Sequence, residues 1–298
     1  MYDSRKKVFI TGVKSFTGKY LVPSLENNNF KVINFNRELG RSDADAPIDL
    51  LDQQRLHDFL NKHSPDYIIH LAGITNSTHP DPRRYYEVNV IGTLNLLKAL
   101  GDLSKAPKHI ILASSANIYG DQSGEIITET SPIDPVNNYA ASKVAMELMA
   151  KLWQNKLPIT IVRPFNYTGV GQSKEFLIPK IVEHYKRASN FINLGNLDVS
   201  RDFSDVRSVV DAYLKMLDHK KVVGKTVNIC SGKSYSIQNI LDFCERLTGH
   251  SLEVRVDPHL VRPNEIKNLM GDPTLLNFYA PNLLQISLED TLRWMLTE

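Results

Sequence analysis

At 298 residues, with 42% hydrophobic, 23% charged and 8% aromatic residues, the chain has the composition of a folded globular protein large enough for two domains of roughly 100–200 residues each. Lys and Arg total 35 against 33 Asp and Glu, a net charge of +2, which excludes the basic stripe needed to bind a nucleic-acid backbone and leaves a small anionic ligand possible. No apolar run approaches the roughly 20 residues of a membrane span. Thr11 and Gly12 end the N-terminal run before signal-peptide length, and two cysteines, Cys230 and Cys244, give no disulfide framework, with a single bridge left open. A cytoplasmic protein is expected.

In chain order, short β-rich apolar runs at residues 7–11, 31–35, 66–71, 109–113 and 159–163 predict strands separated by longer amphipathic stretches. Residues 82–103 and 139–157 carry apolar side chains at helical spacing, as with Val90, Leu94, Leu97 and Leu100. The alternation predicts a parallel sheet with helices on both faces. Pro23 falls inside the first helical stretch and is expected to kink it or shift its boundary. After Pro164 the texture changes: residues 165–200 lack strong strand runs, 226–230 look like a further buried strand, and 236–248 a helix. No internal repeat or low-complexity segment is found. The expected division is 1–164, with 201–229 returning to it, as a dinucleotide-binding domain, and 165–200 with 230–298 as a smaller, mostly C-terminal α/β substrate lobe.

The segment Thr11-Gly12-Val13-Lys14-Ser15-Phe16-Thr17-Gly18 follows the first strand and opens a helix, where backbone amides and the positive helix end receive a pyrophosphate. Gly12 and Gly18 permit the tight turn and close backbone approach, while Ser15 stands where glycine is usual. A strand-to-helix turn without a ligand is the alternative. The fold class that follows is α/β, a Rossmann-type doubly wound parallel sheet. At the tip of the second strand, where an NAD site carries a carboxylate for the adenosine ribose, the chain has Asn36-Arg37. Arg37 can pair bidentately with a 2′-phosphate, so NADP(H) is favoured and NAD(H) stays possible. Asp49-Leu50 is placed either to hydrogen-bond the adenine edge or to serve as polar loop before a helix near Asp52.

Tyr139 and Lys143 are four apart, hence on one helix face, and follow a strand that ends in Ser114-Ser115. Spacing alone carries nothing, because Tyr2 and Lys6 repeat it by accident. Position in the βαβ array separates the two pairs. A phenol with a pKa of about 10 exchanges protons poorly at neutral pH, and a neighbouring Lys143 ammonium with an oxidised nicotinamide lowers that value. In this arrangement Ser115 hydrogen-bonds the substrate oxygen, Tyr139 exchanges its proton, and Lys143 binds the nicotinamide ribose and tunes Tyr139. A core-packed tyrosine beside a surface lysine is the alternative. No metal is required.

These residues resemble the extended short-chain dehydrogenase/reductases acting on nucleotide sugars, and within them the GDP-6-deoxy-D-mannose reductases. The likeness spans almost the whole chain, through residues 11–18, His70-Leu71-Ala72-Gly73, Asn89-Val90-Ile91-Gly92-Thr93, residues 115–120 and residues 139–143. Residues 163–172, 195–205, Arg262-Pro263-Asn264-Glu265 and Gly271-Asp272-Pro273 look like the branch holding GDP-mannose 4,6-dehydratases and GDP-6-deoxymannose reductases. The resemblance implies that Gly12, Ser15, Phe16, Thr17, Gly18, Leu71, Ala72 and Gly73 line the cofactor. It also implies that Asn166, Arg201 and Arg262 contact a diphosphate, that Glu265 contacts the nucleotide ribose or base, and that Lys180 is a further candidate. The chain departs from the pattern at Ser15, Tyr167, Val170 and Ser208, the last where the branch often has aspartate. Relatives pair through helices corresponding to residues 82–103 and 139–157, so a homodimer is expected, unless those apolar faces are wholly used in covering the sheet.

Sugar-nucleotide 4,6-dehydratases of similar sequence carry acidic residues just after the catalytic Ser or Thr. Here those positions are Ala116 and Asn117, neither of which can act as a general base. The expected activity is therefore NADPH-dependent reduction of a GDP-4-keto-6-deoxyhexose, with GDP-4-keto-6-deoxy-D-mannose the favoured substrate and GDP-D-rhamnose the product. A nucleotide-sugar 4-epimerase with tightly held NAD is the second reading, and a non-catalytic dinucleotide-sensing module the third.

Overall fold

The computed structural model describes residues 4–34, 48–76, 79–122, 124–262 and 265–298. They form two compact units. The first comprises Met1–Ile118, Pro135–Arg163 and Tyr213–Val227, the second Tyr119–Asp134, Pro164–Ala212 and Asn228–Glu298.

In the first unit β1 (Lys6–Thr11), β2 (Phe30–Ile33), β3 (Tyr67–His70), β4 (His109–Ala113), β6 (Ile159–Pro164) and β10 (Thr226–Ile229) make a six-stranded sheet in the order β10-β6-β4-β3-β1-β2. Pairing is parallel from β2 through β6, with Val8 opposite Tyr67 and Ile110 opposite Ile159. The central strands read as continuous apolar runs because both faces are covered: all four residues of β3 are buried. Helices α2 (Gln53–His63), α4 (Thr93–Gly101) and α5 (Asn138–Lys151) contribute Leu56, Leu60, Leu96, Leu100, Met146 and Ala150 to one core with Phe9, Ile68, Ile110 and Ile161.

Two local expectations change. Helix α1 (Phe16–Asn27) runs through Pro23 without ending there. An interior proline costs about 3 kcal/mol, which burial of Leu21 and Leu25, both 0% exposed, offsets at about 1.5–3 kcal/mol each. The stretch predicted as one helix over 82–103 is α3 (Arg83–Tyr86), a π-helical turn (Glu87–Gly92) and then α4. The wider turn buries Asn89, a polar residue that a single helical period would have no reason to place inside.

The second unit holds a sheet in the order β11-β9-β13-β5, from β11 (Ser234–Ser236), β9 (Ser200–Asp205), β13 (Asn268–Gly271) and β5 (Ile126–Ile127), with β7 (Asn166–Thr168) paired to β9. A two-stranded ladder joins β8 (Phe191–Leu194) and β12 (Glu253–Val256). Helices α6 (Leu177–Lys186), α8 (Ile237–Thr248) and α10 (Leu288–Thr297) close a separate core around Ile181, Ile240, Leu241, Leu292 and Met295. The remaining helices are α7 (Val206–Leu217) and α9 (Thr274–Tyr279).

This division differs from the one expected. Residues 119–134 and 201–212 belong with the second unit, because β5 pairs β13 and β9 pairs β7, β11 and β13. Strands of two to six residues give little sequence signal when most of their stabilisation comes from partners far along the chain. Residues 165–200, expected to be poor in strands, supply β7 and β8. Cys230 and Cys244 are buried free thiols. Among the described residues no helix is long and apolar enough to cross a membrane.

Candidate active site

The loop from β1 to α1 is built around two glycines. Gly12 has φ +79°, and a Cβ there would stand 2.9 Å from the Ala72 nitrogen; one on Gly18 would stand 2.4 Å from the Gly12 carbonyl oxygen. Larger residues are therefore excluded by backbone. Ser15 replaces the usual middle glycine and acts as N-cap, its Oγ accepting from the Gly18 N–H at 3.1 Å. No acidic side chain occupies the first turn of α1. That N-terminus, bordered by Phe16 and Thr17, can receive an anion. Asn36 and Arg37 lie outside the described residues. The Asp49 carboxylate accepts from the Leu51 N–H, Leu50 is buried in the core, and its carbonyl accepts from Asn95; Asp52 caps α2.

A hydrogen-bonded chain links the loop to the buried π-helical turn. Thr93 Oγ1 donates to the Asn89 carbonyl, so it accepts from His70 Nε2 at 2.9 Å; His70 Nδ1 then accepts from Thr11 Oγ1 at 2.6 Å, which accepts from the Ala72 N–H. Burial, reinforced by the charge of Lys143, pushes His70 down to about 3. The imidazole is a neutral spacer. Asn89 accepts from the Ile74 N–H at 2.9 Å and donates to Ser142 Oγ at 2.9 Å, fastening the 71–74 segment to α5. Its signal in the sequence is an asparagine interrupting an apolar helical run.

Tyr139 lies in the first turn of α5, whose N-cap Asn137 accepts from the Ala140 N–H. Its ring is 5% exposed and lies 6.3 Å from that of Tyr85. One turn on, the Lys143 ammonium donates to the Ala113 carbonyl at 2.8 Å, at the end of β4. Two residues beyond, Ser115 Oγ accepts from the Asn117 N–H as the short 3-10 turn Ala116–Tyr119 begins. Lys143 is thus buried against the strand that delivers Ser115, not spread on the surface. Burial pushes its pKa down to about 8, against an opposing pull from Glu147.

Glu147 and Arg163 form a bidentate pair at 2.9 and 2.7 Å, both almost wholly buried. Glu147→Gln should cost about 3–5 kcal/mol by leaving a buried guanidinium without its counter-charge. It also removes the charge that raises Lys143. We expect the alkaline limb of kcat/KM to move below that of the wild type, checked by thermal melts and a pH-rate profile together.

In the second unit a cavity of about 270 Å3 is lined by Asn166, Lys180, Arg201, Arg262 and Glu265. Sequence reasoning left out Phe176, Gln172 and Asn196 on the same walls, which carry no charge to mark them. Arg201 Nη2 meets Glu265 at 2.6 Å and Arg262 Nη1 stands 3.6 Å from the other carboxylate oxygen. Asp202, next to Arg201 in the chain, does not pair with it but accepts from the N–H groups of Ser231 and Gly232 inside the fold. Lys180 Nζ donates to the Asn193 carbonyl at 2.6 Å. Two arginines converging on one carboxylate present the fork geometry that also suits a diphosphate.

Residues 8–230 match the model of the NAD dependent epimerase/dehydratase family. The GDP-6-deoxy-D-talose 4-dehydrogenase of Aggregatibacter actinomycetemcomitans is 35% identical, over 91% of this chain and 90% of its own. The GDP-6-deoxy-D-mannose reductase of Pseudomonas aeruginosa is 30% identical, over 98% and 97%. A solved structure of RMD from Pseudomonas aeruginosa complexed with NADPH superposes with a TM-score of 0.86, at 30% identity, over 98% of each chain.

Proposed function

The chain belongs to the NAD dependent epimerase/dehydratase family, and on that footing we propose that it uses NADPH to reduce the 4-keto group of GDP-4-keto-6-deoxy-D-mannose. GDP-D-rhamnose is the product favoured from the sequence. The two similar relatives are named for 6-deoxy-talose and 6-deoxy-mannose sugars, which differ in configuration at C4, so nucleotide, sugar skeleton and oxidation step are common to both.

The observation that carries this reading is the absence of an acid or base beside Ser115. Ala116 is a buried methyl and Asn117 an amide, so C5 deprotonation and loss of a C6 hydroxyl have no agent, whereas reduction needs one hydride and one proton. Bound NADPH supplies the hydride. Gly12, Ser15, Phe16, Thr17 and Gly18, with Leu71, Ala72 and Gly73, hold it; the strict glycine geometry and the acid-free helix end fit an anionic dinucleotide. Ser115 orients O4, Tyr139 delivers the proton to it, and Lys143 raises the acidity of the phenol while bonding the ribose. Asn166, Lys180, Arg201 and Arg262 hold the diphosphate, with Glu265 toward the nucleoside.

The test is NADPH oxidation with GDP-4-keto-6-deoxymannose generated in situ, against NADH, followed by NMR of the sugar. Consumption of NADPH giving GDP-rhamnose supports the full reading, and the talo product moves only the C4 assignment. Near-stoichiometric NAD in the purified protein with no net oxidation would replace it by the epimerase.

We also propose a homodimer. Ile91 on the π-helical turn and Leu148 and Leu152 at the end of α5 are 46%, 57% and 79% exposed, an apolar face left uncovered in the single chain. The double substitution Leu148→Glu and Leu152→Glu should yield a monomer by light scattering, with little change in secondary structure.

A further inference from the structure

A second cavity in the second unit, of about 250 Å3, shares only Phe203 with the cavity that holds Arg201. We propose that it binds a small organic carboxylate whose apolar body carries a hydroxyl or keto group at its far end. Phe203, Val209, Tyr235, Leu276, Leu284 and Leu288 form its apolar wall, and polar side chains cover a comparable share of the lining. The apolar wall favours an apolar body by excluding water, and the polar share calls for polar groups on the same ligand.

Two polar groups set the ligand's ends. Ser208, in the first turn of α7, is 8% exposed, and its Oγ has no hydrogen-bond partner among the described residues. A buried hydroxyl without a partner is unfavourable, so a ligand oxygen there is stabilising. Lys233 is exposed at the lining, and no acidic side chain among the described residues pairs with it. Asp205 is the one carboxylate on the wall, and it is already satisfied: it accepts from Arg207 at 2.9 and 2.7 Å and from Thr291 Oγ1 at 2.7 Å. The cavity therefore offers the Lys233 ammonium and the buried, unpartnered Ser208 hydroxyl as anchors. Its volume falls below the roughly 300–1,000 Å3 of drug-sized sites and suits a ligand of about ten heavy atoms. Neither Ser208 nor Lys233 lies in the machinery proposed for reduction.

The probes are 3-(4-hydroxyphenyl)propionate and 3-phenylpropionate, titrated into the whole protein by ligand-observed NMR and calorimetry. The hydroxylated acid is expected to bind with Kd below about 1 mM, and the plain acid about tenfold more weakly. Ser208→Ala should abolish that difference, and Lys233→Ala should weaken both acids about tenfold. Leu276→Trp, which fills the cavity, should abolish binding. All three variants should retain nucleotide-sugar turnover, which also shows that they fold. No saturable binding below roughly 10 mM, or equal binding by wild type, Lys233→Ala and Leu276→Trp, overturns the proposal and leaves a solvent-filled cavity; neither result bears on the reductase reading.

Discussion

Tyr139→Phe is expected to lower kcat by roughly 10²–10⁴-fold, the usual contribution of a positioned proton donor, while leaving NADPH affinity and thermal stability near wild type. The substitution keeps the ring that packs beside Tyr85 and removes only the hydroxyl. A merely structural tyrosine would give the opposite pattern, retained kcat with altered stability. The pH profile supplies a second reading of the same site. Lys143 sits at about 8 because it is buried, so activity that needs its ammonium falls as pH rises through that value. Stability moves the other way. Between about 8 and the ordinary lysine value the unfolded chain holds a proton that the folded chain has lost, so stability rises with pH across that window. Lys143→Met should accordingly be inactive and, at neutral pH, at least as stable as wild type by thermal melt, since it removes a buried charge.

Arg201→Met should weaken GDP binding by roughly a hundredfold or more, the expected result of truncating one partner in a desolvated charge cluster. The guanidinium is 11% exposed and held by Glu265 and by the Ser200 carbonyl at 2.9 Å, so it is fixed in place before a ligand arrives. Arg262, 58% exposed, should lose several-fold less when replaced in the same way. Calorimetry with GDP, together with kcat at saturating substrate, separates the outcomes: a loss confined to affinity assigns Arg201 to binding, whereas an equal loss in kcat would place it in the chemical step. Glu265→Gln sharpens the comparison. If the carboxylate chiefly neutralises the two arginines, pyrophosphate alone binds more tightly to the variant; if it holds the nucleoside, GDP binds more weakly and pyrophosphate is unchanged.

The parallel sheet and the glycine loop were legible because each leaves a local mark: continuous apolar strands such as Val8-Phe9-Ile10, and Gly12 and Gly18 at the start of a helix. Lys143 was legible as a candidate but not as a buried group, since its anchor on the Ala113 carbonyl is an encounter between segments 30 residues apart. The same holds for Glu147, whose partner Arg163 lies on another element, and for Asn89, whose burial depends on a π-helical turn that no 3.6-residue period announces. The proposed diphosphate residues came from resemblance. Their grouping around one cavity comes from strand pairings between β7, β9 and β13, which alternation within such short strands cannot reveal.

The interleaving of the two units carries a cost during synthesis. The first unit needs three separate stretches of chain, the last ending at Val227, so its sheet cannot be completed as the leading segment leaves the ribosome. β4, with the apolar run Ile110-Ile111-Leu112, waits for β6 while residues 114–158 are made, roughly 2–9 s at ordinary elongation rates. During that interval the strand presents an unpaired, hydrophobic edge to other nascent chains. Slowed elongation or crowding of polysomes should thus reduce the yield of folded enzyme more than any loss of native stability would suggest, and a chaperone that shields residues 109–113 until β6 emerges should restore it.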